Sequence, residues 1–279
     1  MGAPETTTEY LLSIQDTTDF AYDEVTGEHF SNWYNYSRVD WGMGRYNNPD
    51  VIYDSPLLHR VVLDGLTPGK KYFYRVQGSC KVYSFSLPPS ATASPTDFPY
   101  RIGLTADIGQ TLVSEKSVQA LLALLPDVVL LPGDLSYADG YMYFTPHQGS
   151  GSPNMGYWAK AVGPVLVIAL NSYSNMTRGS TQYEWADSYL SSKVDRYLTP
   201  WVVVMMHVPW YNSNTGHWKE AERGRQHMEP LLFQYGVDVI IAGHVHSYER
   251  THPILEFERN ECGPMYLNLG DGGNYEGGM

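Results

Sequence analysis

Cysteine is scarce in this chain of 279 residues, which holds only Cys80 and Cys262. At most one disulfide can form, and the spacing leaves one bridge or two free thiols equally open. Positive charge is also short, with 18 Lys+Arg against 30 Asp+Glu and a net charge of −12. So acidic a chain lacks the basic footprint that phosphate backbones and anionic membranes demand, so neither nucleic acid nor membrane is an expected partner. No run of about 18 apolar residues occurs, which excludes a transmembrane helix from the reading. Residues 1–19 are polar and show no apolar signal-peptide core. Against these absences, 43% of the residues are hydrophobic, enough for a sizeable core in one large domain or two modest ones.

Composition shifts near residue 88. The stretch Leu87-Pro-Pro-Ser-Ala-Thr-Ala-Ser-Pro95 is rich in Pro, Ser and Ala, and residues 89–98 are read as a linker. Residues 1–88 are aromatic-rich. The segment His59 to Val76 gives a short strand, a Pro-Gly turn and an alternating strand with Tyr72, Tyr74 and Val76 on one face. This resembles a fibronectin type III β-sandwich, although residues 1–50 supply few clean strands, so the sandwich is expected to be incomplete. Residues 99–279 read as α/β. Apolar runs at 100–105, 127–132, 164–170, 201–206, 237–242 and 265–269 suit strands covered on both faces. Helices are expected at 112–125, with an apolar stripe, at 183–198, and at 220–235, where Pro230 interrupts the pattern.

Four polar clusters follow strand-like runs: Asp107-Ile-Gly109, Gly133-Asp134-Leu-Ser-Tyr137, Val204-Met-Met-His207 and Gly243-His244-Val-His246. Functional groups of open α/β sheets gather at the carboxyl ends of strands. Singly, each residue has an ordinary use as a helix cap, turn residue or buried polar group. Jointly, two carboxylates, a phenol and three imidazoles in strand-end register point to bound metal. Carboxylate, phenolate and imidazole suit Fe(III), and imidazole-rich oxygen-containing sites suit Zn, Mn or Fe(II). A carboxylate shared by two ions would make a two-metal clamp.

These segments resemble the plant-type purple acid phosphatases of the calcineurin-like metallophosphoesterase superfamily. The resemblance runs through most of residues 55–279. Its further motifs are Val204-Met-Met-His-Val-Pro-Trp-Tyr-Asn-Ser213, Ala242-Gly-His-Val-His-Ser-Tyr-Glu-Arg250 and Leu269-Gly-Asp-Gly-Gly-Asn274. It implies a metallophosphoesterase-like sandwich of mixed sheets flanked by helices over 99–279. By motif, it assigns Asp107, Tyr137 and His246 to a ferric ion and Asp134 to a bridge between ions. His207 and His244 fall to a divalent ion (Zn, Mn or Fe), and His217 to the substrate phosphate or leaving group. The implied activity is hydrolysis of small phosphate monoesters, favoured at acid pH, with visible tyrosinate-to-iron colour. The implied location is extracellular or vacuolar. The sequons Asn35-Tyr-Ser37 and Asn175-Met-Thr177 would matter there. Whether a homodimer forms stays open.

One family motif, Gly-Asn-His-Glu or Gly-Asn-His-Asp, is absent between Asp134 and His207. With it go an expected strand, an Asn ligand of the divalent ion and a substrate-contacting His. His147 and Asn154 lie in the replacing loop as candidate substitutes. The chain also stops short of the family's length at its ends. The expectation is a surviving ferric site, a weakened divalent site and a sheet short of a strand. A non-catalytic relative that binds metal or phosphate is the alternative, and a phosphodiesterase or nucleotidase a third reading.

Overall fold

The computed structural model describes residues 28–30, 35–36, 53–54, 58–60, 63–76, 80–135, 137 and 156–277. The chain divides into two compact units, one of residues 1–93 with 139–142, the other of residues 94–138 and 143–279.

In the first unit, β1 (Glu28–Phe30) pairs antiparallel with β4 (Leu58–Arg60), and β2 (Asn35–Tyr36) with β3 (Tyr53–Asp54). β5 (Lys71–Arg75) and β6 (Val82–Ser86) form an antiparallel hairpin. Its cross-strand aromatic pairs, Tyr72 with Phe85 and Tyr74 with Tyr83, stack at 5.7 and 5.2 Å between centroids. Such pairs hold register. The Tyr72 hydroxyl accepts the Thr67 N–H at 2.8 Å, tying the strand to the turn before it. The rest of the expected sandwich lies outside the described residues.

The second unit is built on a six-stranded sheet of order β13-β16-β12-β11-β10-β9. Here β9 is Trp158–Val162, β10 Val165–Ala169, β11 Trp201–Met205, β12 Val239–Ala242, β13 Tyr248–Arg250 and β16 Met265–Leu269. β10, β11, β12 and β16 run parallel, and the two edge strands antiparallel. β10 is buried along its whole length, as a central strand with two covered faces must be. Alternation then separates the faces. Leu166, Ile168, Val202, Val204 and Ile240 turn toward helices α2 (Thr181–Lys193) and α3 (Glu222–Gln234), meeting Ala186, Leu190, Met228 and Leu232. Val165, Val167, Ile241 and Leu269 turn the other way, toward β7 (Ile102–Leu104) and β8 (Val128–Leu130). β7 and β8 form a two-stranded parallel pair crossed over by α1 (Leu112–Ala123). A small hairpin of β14 (Ile254–Leu255) and β15 (Glu258–Arg259) follows β13.

Several expectations change in detail. β9 was not anticipated: Trp-Ala-Lys-Ala-Val carries little apolar signal, and Gly163-Pro164 turns it back onto β10. Lys160 on this edge strand guards it against pairing with another chain. α3 runs straight through Pro230. The proline ring is exposed, and the buried Met228, Leu231 and Leu232 offset the lost hydrogen bond. α2 ends at Lys193 rather than 198, because the Asp195 carboxylate accepts the Tyr197 N–H at 2.8 Å and turns the chain. The apolar stripe of 112–125 faces outward in large part. Ser114, Ser117, Val118 and Leu121 form the inner face, whereas Leu112 and Leu125 are 78% and 73% exposed. α1 begins with a capping box, in which Thr111 accepts from the Ser114 N–H and the Ser114 hydroxyl accepts from the Thr111 N–H. Among the described residues the six strands are continuously paired, and β7–β8 is a separate pair.

Candidate metal centre

The loops after β7, β8, β11 and β12 meet at the carboxyl ends of their strands, and there the backbone is strained. Asp107, Asp134, Tyr137 and His244 adopt left-handed conformations, with φ of 53°, 45°, 46° and 68°. Non-glycine residues hold such angles only where their surroundings enforce them, and they cluster at functional sites. Two glycines make the approach possible. A Cβ on Gly133 would lie 2.3 Å from His207 Nδ1, and one on Gly243 2.2 Å from Asp107 Oδ2.

Asp107 is fully buried. Its Oδ2 accepts the His244 backbone N–H at 2.8 Å, and its Oδ1 accepts the Tyr137 hydroxyl at 2.8 Å. The same hydroxyl is 2.9 Å from His246 Nε2, which is 3.5 Å from Asp107 Oδ1. His246 Nδ1 lies 3.1 Å from the Gly277 carbonyl. A carbonyl can only accept, so Nδ1 donates there, and Nε2 is the ring nitrogen that faces Asp107 and Tyr137. Asn274 donates to the Asp107 carbonyl at 3.0 Å, which locks the turn from behind. Sequence reading quoted Asn274 within a motif and gave it no role.

Beside this trio, donor atoms of Asp107, Asp134 and His207 lie within 4.8 Å of one another, as do those of His217, Glu220 and His244. His207 Nε2 is 3.4 Å from Asp134 Oδ2, and both buried His207 ring nitrogens lack a hydrogen-bond partner. The His244 ring is 5.1 Å from that of His207 and 4.8 Å from that of His217. Glu220 lies between two imidazoles, 2.7 Å from His244 Nε2 and 2.9 Å from His217 Nδ1. Sequence reading missed Glu220; its spacing three residues after His217 is the one signal that could have found it.

The electrostatics are those of a cation site. Burial pushes the Asp107 carboxyl up, and His207, the His244 amide and Tyr137 offset only part of that. Burial and then the Asp107 carboxylate push the Tyr137 phenol up. Burial works to raise Asp134, but His207 and the other imidazoles outweigh it and hold the carboxyl below its usual range. Burial works against charge on His207, yet Asp134 and Asp107 outweigh it and raise the imidazole. Carboxylates that draw protons onto neighbouring rings are carboxylates short of a positive partner, and a bound cation supplies one. Buried imidazole nitrogens without partners are rare in native folds. The donor set therefore fits metal: hard oxygens with imidazoles, at two adjoining places. His147 and Asn154 lie outside the described residues.

The sequence profile of the calcineurin-like phosphoesterases matches residues 143–248. Purple acid phosphatase 21 of Arabidopsis thaliana is 36% identical over 271 residues, covering 81% of this chain and 60% of the relative. Purple acid phosphatase 23 of the same plant is 31% identical over 327 residues, covering 88% and 71%. The chain belongs to the purple acid phosphatases. A solved purple acid phosphatase, PPD1 from yellow lupin seeds, superposes with a TM-score of 0.70 over 95% of this chain and 60% of its own. At 19% identity, that likeness shows the shared fold. The chain spans about three fifths of the length of several purple acid phosphatases it matches. Family membership implies a two-metal centre, and the convergent loops hold the residues for one. A cleft of about 300 Å³ opens beside it, lined by Tyr173, Asn175, Trp210, Glu220 and Arg223 among others. Among the described residues no helix is long and apolar enough to cross a membrane.

Proposed function

We propose that this chain is an acid phosphatase that hydrolyses small phosphate monoesters at a Fe(III)–divalent centre. The observation that carries the reading is the mutual contact of Asp107, Tyr137 and His246, three residues from three loops with one buried carboxylate between the phenol and the imidazole. In this reading Asp107, Tyr137 and His246 would hold the ferric ion, His207 and His244 would hold the divalent ion (Zn, Mn or Fe), and Asp134 would serve both. When bound, the two ions supply the positive charge that holds the phosphate and acidifies a water for in-line attack.

The chain's own residues do the rest. Asp107 fixes the His244 backbone through its amide and so sets the spacing of the two places. His217, ten residues after His207, has its ring 4.8 Å from that of His244 and its Nδ1 2.9 Å from Glu220. In its protonated form it steadies the phosphate or gives a proton to the leaving oxygen, so turnover is expected to favour acid pH. The acidic surface repels anions, so the centre itself must attract the substrate. We further propose a fibronectin type III-like first unit, residues 89–98 as linker, and an extracellular or vacuolar location.

The test is release of phosphate from p-nitrophenyl phosphate against bis(p-nitrophenyl) phosphate, with and without chelator. Chelator-sensitive monoester turnover that His207→Ala abolishes is expected. Folded, metal-replete protein without turnover would sink the proposal, and faster diester cleavage would redirect it to phosphodiesters.

A further inference from the structure

We propose that Arg223 and the amino end of α3 form a subsite for a second anionic group, so that the monoesters this chain prefers carry a carboxylate or a further phosphate on the leaving alcohol. This rests on the phosphatase reading above and narrows its substrate class. The cleft of about 300 Å³ beside the centre is of a size that takes a small ligand. Two of its walls adjoin His207 and His244. The Tyr173 ring stands 6.1 Å from that of His207, and Glu220 lies 2.7 Å from His244 Nε2. The leaving group of a phosphate ester seated at the centre therefore has this cleft beside it.

The lining favours negative charge. Arg223 is the one cationic side chain in it, and it is exposed. Among the described residues Arg223 makes no ion pair, in a chain of net charge −12. The carboxylate next to it in sequence, Glu222, is taken by Arg225. The one carboxylate in the lining, Glu220, is taken by His217 and His244. The cleft also meets the start of α3, a helix of 13 residues whose N-cap, Ala221, offers no side-chain acceptor. Among the described residues the N–H groups of Arg223 and Gly224, both in the lining, take no acceptor. Such a helix end carries partial positive charge and open donors. Trp210 lines the same cleft at 3% exposure, and its indole N–H has no partner among the described residues. An exposed arginine by itself is ordinary surface charge. A cation, an uncapped helix start and a buried donor without a partner on one cleft call for an anion.

The test compares esters that differ in the second group, on the iron- and zinc-loaded full chain. Racemic 3-phosphoglycerate is set against racemic glycerol 3-phosphate, and fructose 1,6-bisphosphate against fructose 6-phosphate. The first pair adds a carboxylate and the second a phosphate, so the pair that responds identifies the group. The unaltered chain is expected to favour the second anion in one or both pairs by about tenfold in kcat/KM, chiefly through KM, which is the scale of one charge-assisted contact. Arg223→Gln should remove that preference, and Arg223→Lys should keep part of it. A ratio between two esters cancels any general loss of fold or metal. Calorimetry supplies a readout without turnover: 3-phosphonopropionate should bind more tightly than propylphosphonate to the unaltered chain, and no more tightly to Arg223→Gln. No preference in the unaltered chain, or a preference that Arg223→Gln leaves intact, with phosphate still released, would overturn this inference alone. No phosphate released from any of these esters would overturn the phosphatase reading and this inference with it.

Discussion

The two faces of the six-stranded sheet are built to different standards. One face carries α2 and α3 over a dense core, with Met228, Leu232, Val202 and Val204 fully buried. Beneath α3 lies a polar network. Glu229, wholly buried, accepts the Tyr211 hydroxyl at 2.6 Å and the Tyr266 hydroxyl at 2.8 Å, and pairs with Arg225. Arg225 in turn covers the Phe257 ring at 4.3 Å. Among the described residues, the other face carries the β7–β8 pair and α1, with Leu112 and Leu122 of the helix and Leu124 and Leu125 just after it looking outward. The missing sequence motif falls between β8 and β10, where residues 138–155 lie outside the described residues. The candidate metal centre draws on both: Asp107, Asp134 and Tyr137 come from the loops after β7 and β8, and His207, His244 and His246 from the loops after β11 and β12 of the six-stranded sheet. Precision at the site thus depends on cross-layer bonds such as those of Asp107 to Tyr137 and to His244.

The comparison is sharpest where a charge is buried. Glu229→Ala removes the acceptor of the Tyr211 and Tyr266 hydroxyls and the fully buried one of the two carboxylates on Arg225, and is expected to cost about 3–5 kcal/mol, read by urea denaturation. A loss under about 1 kcal/mol would mean that the face relaxes as readily as the other one. Leu232→Ala on the same face should cost about 2–5 kcal/mol as a cavity. On the other face, Leu122→Ser should stay within about 0.5 kcal/mol, because the side chain is already in water. Gly243→Ala tests the seam. Its Cβ would lie 2.2 Å from the Asp107 carboxylate and 2.7 Å from the Ala106 Cβ, so iron uptake and melting temperature should both fall, the latter by about 1–3 kcal/mol of stability. The smallest expected effect is a pH dependence. Glu222 is held below its usual range, first by its hydrogen bond to Arg225 and against a lesser cost of burial. A depressed carboxyl stabilises the fold above its unfolded value of 4.5 and loses that contribution as pH falls through its folded value. Glu222→Gln should therefore flatten the acid limb of the stability–pH curve slightly.

Much of this was legible in the sequence, for reasons that differ by element. β10, β11, β12 and β16 announced themselves because strands buried on both faces must be continuously apolar. The left-handed positions at Asp134 and His244 directly follow glycines, and Asp107 lies two residues before Gly109, so sharp strand-to-loop turns could be expected there. β9 could not be read, because an edge strand is defined by its partner β10 more than by its own five residues. The outward face of α1 was hidden as well: periodicity shows that a stripe exists, and only the sheet's width decides whether anything covers it. The continuation of α3 past Pro230 rests on tertiary packing that propensity does not contain. Glu220 was invisible because a lone glutamate in a polar loop looks like solvent-facing charge until His244 is folded over it.

In the proposed centre Tyr137 and His246, from opposite sides of the site, share one ferric ion with Asp107. The most direct measurement is the visible absorption spectrum of the iron-loaded full chain beside that of Tyr137→Phe, with iron per chain determined for both. A tyrosinate-to-iron band is expected in the unaltered protein and should vanish in Tyr137→Phe while iron remains bound. Iron bound to the unaltered chain with no such band, or a band that survives the substitution, would contradict it.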